Sequence, residues 1–226
     1  MKEFFDKAFT KIAVLGSGTM GGQIAAHFAN LGFETLMFDT SEEALSKSIA
    51  MMKKLKPTPF ASPSVPGLIK TSTYENLNEL SSCDFIIESI VENIAIKKKL
   101  FKQISPHVND NAILVTNTSG LSIQKIAESS PESLRSRIFG VHFFNPPRYL
   151  PLVELIRTSY SDESLLMKAE GFITSALGKE VVYAKDSPAF VANRIGVFSF
   201  MAVLRHAENF NLAADTVDAL TGKRIG

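Results

Sequence analysis

The stretch Lys11-Ile12-Ala13-Val14-Leu15-Gly16-Ser17-Gly18-Thr19-Met20-Gly21 is the most informative part of the sequence. Its first five residues predict a short buried strand, and the G-x-G-x-x-G pattern that follows opens a helix. Gly16 would permit the tight turn, Gly18 would let the backbone approach a pyrophosphate, and Gly21 would let the helix pack close to the strand. The free N–H groups of the first helical turn would add a site for an anion.

An acidic residue stands where such a turn needs one. The next predicted strand, residues 35–38, ends at Asp39, whose carboxylate would accept hydrogen bonds from the ribose hydroxyls of adenosine and repel a 2′-phosphate. Thr40 and Ser41 offer no arginine to hold such a phosphate. The pattern therefore favours NAD over NADP as the cofactor. The alternative is an ordinary strand–helix turn that happens to be followed by a strand-end Asp.

The chain on both sides of this turn alternates strands and helices. This alternation predicts a doubly wound α/β fold of the Rossmann type with a mostly parallel sheet. Thr40 and Glu43 form a capping-box pattern for the second helix, and the four prolines of residues 56–67 predict a stiff surface excursion. Further strands are predicted at residues 84–88, 112–116, 139–142, 152–156 and 180–184.

The pattern changes after Asp186-Ser187-Pro188, where a long apolar helix begins near Phe190 and a second helix starts at Asp215. A helix that is apolar nearly all round needs partners on several sides. We therefore predict a Rossmann domain over residues 1–187 and the first helices of an all-α second domain over residues 188–226, whose remainder we expect beyond Gly226.

Composition excludes several classes of function. The net charge is +1 with no basic stripe, so a nucleic-acid partner is not expected. The single cysteine, Cys83, predicts a half-buried free thiol, and we expect no metal site. Acidic residues interrupt the N-terminal stretch 1–6, so we expect no signal peptide. The longest apolar stretch is too short to span a bilayer. We expect no membrane partner and a cytoplasmic location.

Four polar residues stand at or beyond predicted strand ends: Ser119, His142, Glu154 and Asn193. His142 and Glu154 could form a base and its orienting partner, with Glu154 stabilising the charged imidazole. Each residue also has a structural interpretation, such as a turn residue for Ser119 or a polar position on an apolar helix for Asn193. Spacing alone leaves both interpretations open.

The chain resembles the 3-hydroxyacyl-CoA dehydrogenase family, including the dehydrogenase part of fused β-oxidation enzymes. The resemblance lies in the glycine turn and in five later blocks. The His-Phe-Phe-Asn-Pro block and the Asp-Ser-Pro…Asn-Arg block are the most specific of these. These blocks are Ile90-Val91-Glu92-Asn93 with Lys97, Asn117-Thr118-Ser119, Val141-His142-Phe143-Phe144-Asn145-Pro146, Val153-Glu154, and Lys185-Asp186-Ser187-Pro188 with Val191-Ala192-Asn193-Arg194.

The resemblance implies NAD-dependent oxidation of (S)-3-hydroxyacyl-CoA to 3-ketoacyl-CoA in fatty-acid β-oxidation. It implies that His142 is the general base with Glu154 as its partner, and that Ser119 and Asn193 hydrogen-bond the reacting oxygen of the substrate. It further implies that the cofactor lies along these residues: Gly16, Ser17, Gly18, Thr19, Met20, Gly21, Asp39, Glu92, Lys97 and Asn117. The implied partners are an acyl-CoA substrate and either a second copy of the chain or a larger β-oxidation polypeptide.

Two departures bear on the substrate. Gly120 stands where family members often carry a second serine, and the proline-rich residues 56–67 replace a helical arm that contacts CoA in the family. Two alternatives therefore stay open. One is a Rossmann dehydrogenase of a hydroxy acid or sugar acid without CoA, and the other is a non-catalytic NAD-binding protein, as crystallins related to this family are.

Overall fold

A computed structural model of the chain describes residues 9–222, so the predictions for residues 1–6 lie outside the described part. Eight strands form one sheet in the order β3-β2-β1-β4-β5-β6-β7-β8. All neighbouring strands are parallel except β6 and β7, which are antiparallel. The strands are β1 (Lys11–Leu15), β2 (Glu34–Asp39), β3 (Ile69–Thr73), β4 (Phe85–Glu88), β5 (Ile113–Thr116), β6 (Ile138–Phe143), β7 (Leu152–Ile156) and β8 (Glu180–Ala184).

Helices cover both faces of the sheet, which confirms the predicted doubly wound α/β class. Side chains of β1 alternate between two apolar layers, as the pleat of a strand requires. One layer packs under α1, α2 and α6, and the other under α3, α4 and α5. These helices are α1 (Thr19–Asn30), α2 (Glu42–Met52), α3 (Ile94–Ile104), α4 (Ile123–Glu128), α5 (Glu132–Arg135) and α6 (Glu163–Gly171).

The region after α2 agrees with the prediction in part. Most of residues 56–67 are exposed, as a surface excursion requires, but Phe60 and Val65 are buried, and the Asn30 side chain bonds the carbonyl of Pro59 and the amide of Ala61. The edge strand β3 follows and was not predicted. It was missed because the prolines before it interrupt the alternation of strands and helices. The strand is also mostly polar, since the exposed Lys70 is followed by three hydroxyl residues.

The cap of α2 is also one residue later than the capping-box pattern indicated. Ser41, and not Thr40, accepts the hydrogen bond from the amide of Ala44. Thr40, the residue directly after the strand, instead donates its backbone amide to the Asp39 carboxylate. The Thr40 bond and the Ser41 cap together fix the end of β2 next to the start of α2.

Two helices follow the sheet, α7 (Ala192–Asn209) and α8 (Ala214–Thr221), and neither contains a buried residue. Phe198 and Phe200 of α7 are among the large apolar side chains that it exposes. Within residues 9–222, no helix has the length and apolar character needed to cross a membrane. No cluster of three or more potential metal ligands occurs in that range either.

Candidate active site

The glycine turn forms one wall of a cleft of about 780 Å³, which is within the range for small-molecule and cofactor sites. Gly16 has φ +101°, and a Cβ there would lie 2.7 Å from the carbonyl oxygen of Ser89. A Cβ at Gly21 would collide with the carbonyl oxygen of Gly16. At Gly18, by contrast, a Cβ would meet nothing within 4 Å. The loop thus packs tightly on its inner side and leaves its outer side open for a ligand.

Asp39 lies at the carboxyl end of β2 and lines the same cleft. One carboxylate oxygen accepts bonds from the amide and hydroxyl of Ser17, at 2.7 and 2.5 Å, and the other accepts the amide of Thr40 at 2.7 Å. Burial raises the pKa of Asp39, but the bonds from Ser17 and Thr40 outweigh it and lower the pKa below its ordinary value. The side chain is therefore a fixed anion in the cleft.

These features fit a dinucleotide. The open Gly18 backbone and the start of α1 can approach a pyrophosphate, and an ionised Asp39 suits ribose hydroxyls and disfavours a 2′-phosphate. Thr19 and Met20 of the first helical turn line the cleft as well, whereas Ser17 is buried and reaches it through Asp39. The residues predicted to form the loop are thus brought together.

The opposite wall comes from the ends of β4 and β5. Glu92, Asn117 and Ser119 line the cleft, and their predicted contacts with cofactor or substrate stay predictions. Glu92 accepts the Thr118 hydroxyl at 2.5 Å and the Ser119 amide at 2.8 Å. Burial raises the pKa of Glu92, but these bonds and the charge of Lys97 outweigh burial and lower the pKa below its ordinary value. Ser119 is exposed, so its hydroxyl is accessible.

Lys97 lies beneath this wall instead of in it. Its ammonium is 2.6 Å from Glu88, and the two side chains are each 1% exposed. It also donates to the carbonyl of Ile90 at 3.3 Å and lies 3.4 Å from Glu92. Lys97 therefore braces the backbone of the cleft wall, and its predicted contact with the cofactor stays a prediction.

His142 and Glu154 face each other across the antiparallel pair β6 and β7, where they are register partners. The Nδ1 atom of His142 is 2.7 Å from Glu154, and both side chains are buried. The second oxygen of Glu154 accepts the amides of Val191 and Ala192, at 2.9 and 2.8 Å, where α7 begins. One carboxylate thus holds both the imidazole and the start of α7.

A hydrogen bond connects this pair to the cleft. The residue after His142, Phe143, donates its amide to the Asn117 side chain at 2.9 Å. Asn117 itself lines the cleft, and its own amide bonds Glu88 of β4. Because β4, β5 and β6 are parallel neighbours, their carboxyl ends bring Asn117, Ser119 and His142 to one edge of the sheet.

Asn193 lies in the first turn of α7, directly after the residues bonded to Glu154. Its side chain is half-buried and does not line the cleft in this structure. Its predicted contact with the reacting oxygen therefore stays a prediction. Asn193 directly follows Ala192, whose amide donates to the same carboxylate that bonds His142.

The sequence interpretation missed three residues of this region. Glu88 appeared only as the last residue of a strand, although it receives bonds from Lys97, Ile90 and Thr116. Tyr74 lines the cleft next to β3, and its ring stacks on Phe38 at 6.4 Å. Burial raises the pKa of Tyr74, and the negative charges of Asp39 and Glu88 raise it to a smaller extent. Finding β3 from the β-branched residues of Ile69–Thr73 would have indicated Tyr74.

The third missed residue is Asp186. Its carboxylate caps α4 by accepting the hydroxyl of Ser122 and the amides of Ile123 and Gln124, at 2.9 to 3.0 Å. The Asp-Ser-Pro block was noted only for its resemblance to the family. The capping role of Asp186 depends on where α4 lies in the fold, which the sequence does not give.

Comparison with known proteins agrees with this geometry. Residues 11–187 match the family model described as 3-hydroxyacyl-CoA dehydrogenase, NAD binding domain. The chain belongs to the 3-hydroxyacyl-CoA dehydrogenase family. The cofactor of its domain is NAD, which the cleft fits and the sequence predicted.

Individual members of the family are similar over nearly the whole chain. A probable 3-hydroxyacyl-CoA dehydrogenase of Bacillus subtilis is 37% identical over 97% of this chain, which spans 31% of that relative. A putative fatty acid oxidation complex trifunctional enzyme of Rickettsia felis is 37% identical over 87% of this chain and 28% of its own length. The chain therefore spans under a third of these relatives.

A solved structure is similar in fold as well as in sequence. The crystal structure of (S)-3-hydroxybutyryl-CoA dehydrogenase PaaH1 from Ralstonia eutropha has a TM-score of 0.82 and 30% identity. The match covers 95% of this chain and 77% of that one. The predicted fold and family are thereby confirmed.

Proposed function

We propose that the chain provides the NAD-binding and acid–base part of a dehydrogenase that oxidises (S)-3-hydroxyacyl-CoA thioesters to 3-ketoacyl-CoA thioesters. One observation carries the proposal. A buried His142–Glu154 pair, with 2.7 Å between Nδ1 and the carboxylate, stands at the sheet edge that also forms a dinucleotide cleft. A secondary alcohol next to a bound nicotinamide needs such a base.

The imidazole would act through Nε2. Glu154 holds Nδ1 in the protonated tautomer, which leaves the lone pair of Nε2 to accept the proton of the substrate 3-hydroxyl. As the proton arrives, the carboxylate stabilises the positive charge of the ring. The NAD that the glycine turn and Asp39 would hold would supply the acceptor for the hydride that leaves C3, the carbon bearing this hydroxyl. In the reverse direction His142 returns the proton.

Ser119 and Asn193 would hold the reacting oxygen. The Ser119 hydroxyl is exposed at the cleft, and its backbone is fixed by the bond from its amide to Glu92. Asn193 follows the amides that Glu154 holds, so its approach to the oxygen involves the first turn of α7. Both contacts would fix the alcohol so that its hydrogen-bonded proton faces His142.

The larger assembly is also a proposal. We assign residues 1–187 to the NAD-binding domain and residues 188–226 to the start of a helical domain, because α7 and α8 bury no residue of their own. The Rickettsia felis relative is named as a trifunctional enzyme. We propose that the chain works either as a homodimer or as part of a larger β-oxidation polypeptide.

The test compares two substrates that differ in CoA. The protein that carries the chain together with its proposed helical domain is given NADH with acetoacetyl-CoA or with free acetoacetate, and the consumption of NADH is followed by absorbance. Turnover of the thioester alone supports the proposal. Turnover of the free acid alone would favour a hydroxy-acid dehydrogenase without CoA, and NADH binding without turnover of either would favour a non-catalytic protein.

A further inference from the structure

The connector between β8 and α7 has an uncommon backbone. Ala189 and Phe190 are consecutive and have φ angles of 62° and 44°. Residues other than glycine rarely adopt this left-handed region, and bulky ones do so least. Such a conformation persists only where the surroundings enforce it, and it occurs preferentially at functional sites. The connector therefore calls for a structural reason.

Carboxylates hold the connector at both ends. Asp186, on one side, is bonded to the start of α4, and Glu154 accepts the amides of Val191 and Ala192 on the other. Between them the amide of Phe190 donates to the carbonyl of Ser187 at 3.0 Å. These bonds restrict the backbone of the connector, and the restricted backbone fixes the position of the Phe190 side chain.

That side chain is the ring of Phe190. It is 2% exposed and packs in a small cluster with Ile123, Ile156 and Ala184. Its centroid is 5.7 Å from that of the His142 ring, and the two planes meet at 60°. The ring of Phe144 also meets His142 edge to face, at 4.6 Å. The imidazole thus touches two aromatic rings and one carboxylate.

We infer that Phe190 is a positioning residue for His142, and that the connector adopts its left-handed backbone in order to place this ring. Glu154 fixes one atom of the imidazole, but a single hydrogen bond leaves the ring plane free to turn. Edge-to-face contacts with Phe190 and Phe144 restrict that rotation. The catalytic meaning of this restriction rests on the proposed function, whereas the restriction itself does not.

The test observes the imidazole directly in the 226-residue chain. We would label the histidines with ¹⁵N and measure by NMR the exchange with water of the His142 Nδ1 proton. Replacing Phe190→Leu should raise that exchange rate between about twofold and tenfold, the range of an aromatic pair contact. Ile156→Val is the matched control because it trims the same cluster without removing a ring from His142, and it should leave the rate unchanged.

A second variant guards against a folding failure. Phe190→Met nearly preserves the volume with a flexible side chain, and it should show the same faster exchange. Unchanged exchange in a folded Phe190 variant, or an equal rise in Ile156→Val, would overturn the inference. In the turnover assay, Phe190→Leu should lower kcat and leave the Kd for NADH unchanged. Absence of turnover in the wild-type protein that carries its proposed helical domain would contradict the proposed function alone, because the NMR result does not depend on turnover.

Discussion

Replacing Lys97→Met should destabilise the protein severely, although the residue lies in a run of three lysines. Its ammonium lies 2.6 Å from Glu88, and both side chains are 1% exposed. The replacement therefore leaves the negative charge of Glu88 unpaired in the interior. Breaking a buried pair in this way costs about 3–5 kcal/mol. At about 2–4 °C per kcal/mol for a chain of this size, the melting temperature should fall by about 6–20 °C.

The measurement is urea unfolding followed by circular dichroism. The double variant Lys97→Met with Glu88→Gln should recover most of the loss, because the neutral amide no longer needs the ammonium. Lys102→Met is the control: this lysine is on the same helix but exposed, and the change should stay within about 0.5 kcal/mol. A loss below about 1 kcal/mol for Lys97→Met, or no recovery in the double variant, would refute the reasoning.

Three further predictions concern the cofactor carboxylate, the connector and the thiol. Ser17→Ala removes a bond that lowers the pKa of Asp39, so the loss of NADH affinity on acidification should move to higher pH; Kd values measured across the acid range would show it, and an unmoved curve would contradict it. The direction of this shift follows because Asp39 binds NADH as an anion. Its contribution to NADH affinity is complete above its ordinary pKa and is lost as the pH falls through its lowered pKa. Ala189→Gly relieves a residue at φ 62° and should raise the free energy of unfolding by up to about 1 kcal/mol in urea titrations, whereas a decrease would argue against backbone strain. Burial raises the pKa of Cys83 to about 11, so iodoacetamide should label the folded chain near pH 7 far more slowly than the urea-unfolded chain, and equal rates would be incompatible with the buried site.

The sequence allowed much of the fold to be predicted, because its central strands are short, apolar and separated by clear turns. The glycine turn could be interpreted for a physical reason: each glycine meets either a close backbone atom or open space. The register that pairs His142 with Glu154 could not be read in this way. It depends on the single antiparallel pair of the sheet, and strand direction leaves no local mark in the residues.

What the sequence did not show depends on long-range contacts. The prolines of residues 56–67 predicted a surface excursion, and the segment is mostly exposed, but they did not indicate that Asn30 and Arg148 bind its carbonyls and hold it against the domain. The resemblance placed Lys97 along the cofactor, and nothing local in the sequence indicated its buried pairing with Glu88. Burial of a charged residue depends on which element covers it, and that information is distributed over the whole chain.

The assignment of His142 as the acid–base group is tested most directly by its replacement with glutamine. Turnover of acetoacetyl-CoA with saturating NADH is compared between wild-type and His142→Gln forms of the protein that carries the proposed helical domain, with the Kd for NADH measured in both. We predict that kcat falls by about 10²- to 10⁴-fold while the Kd for NADH stays the same. A His142→Gln protein that binds NADH and retains the wild-type kcat would contradict the proposed role of this pair.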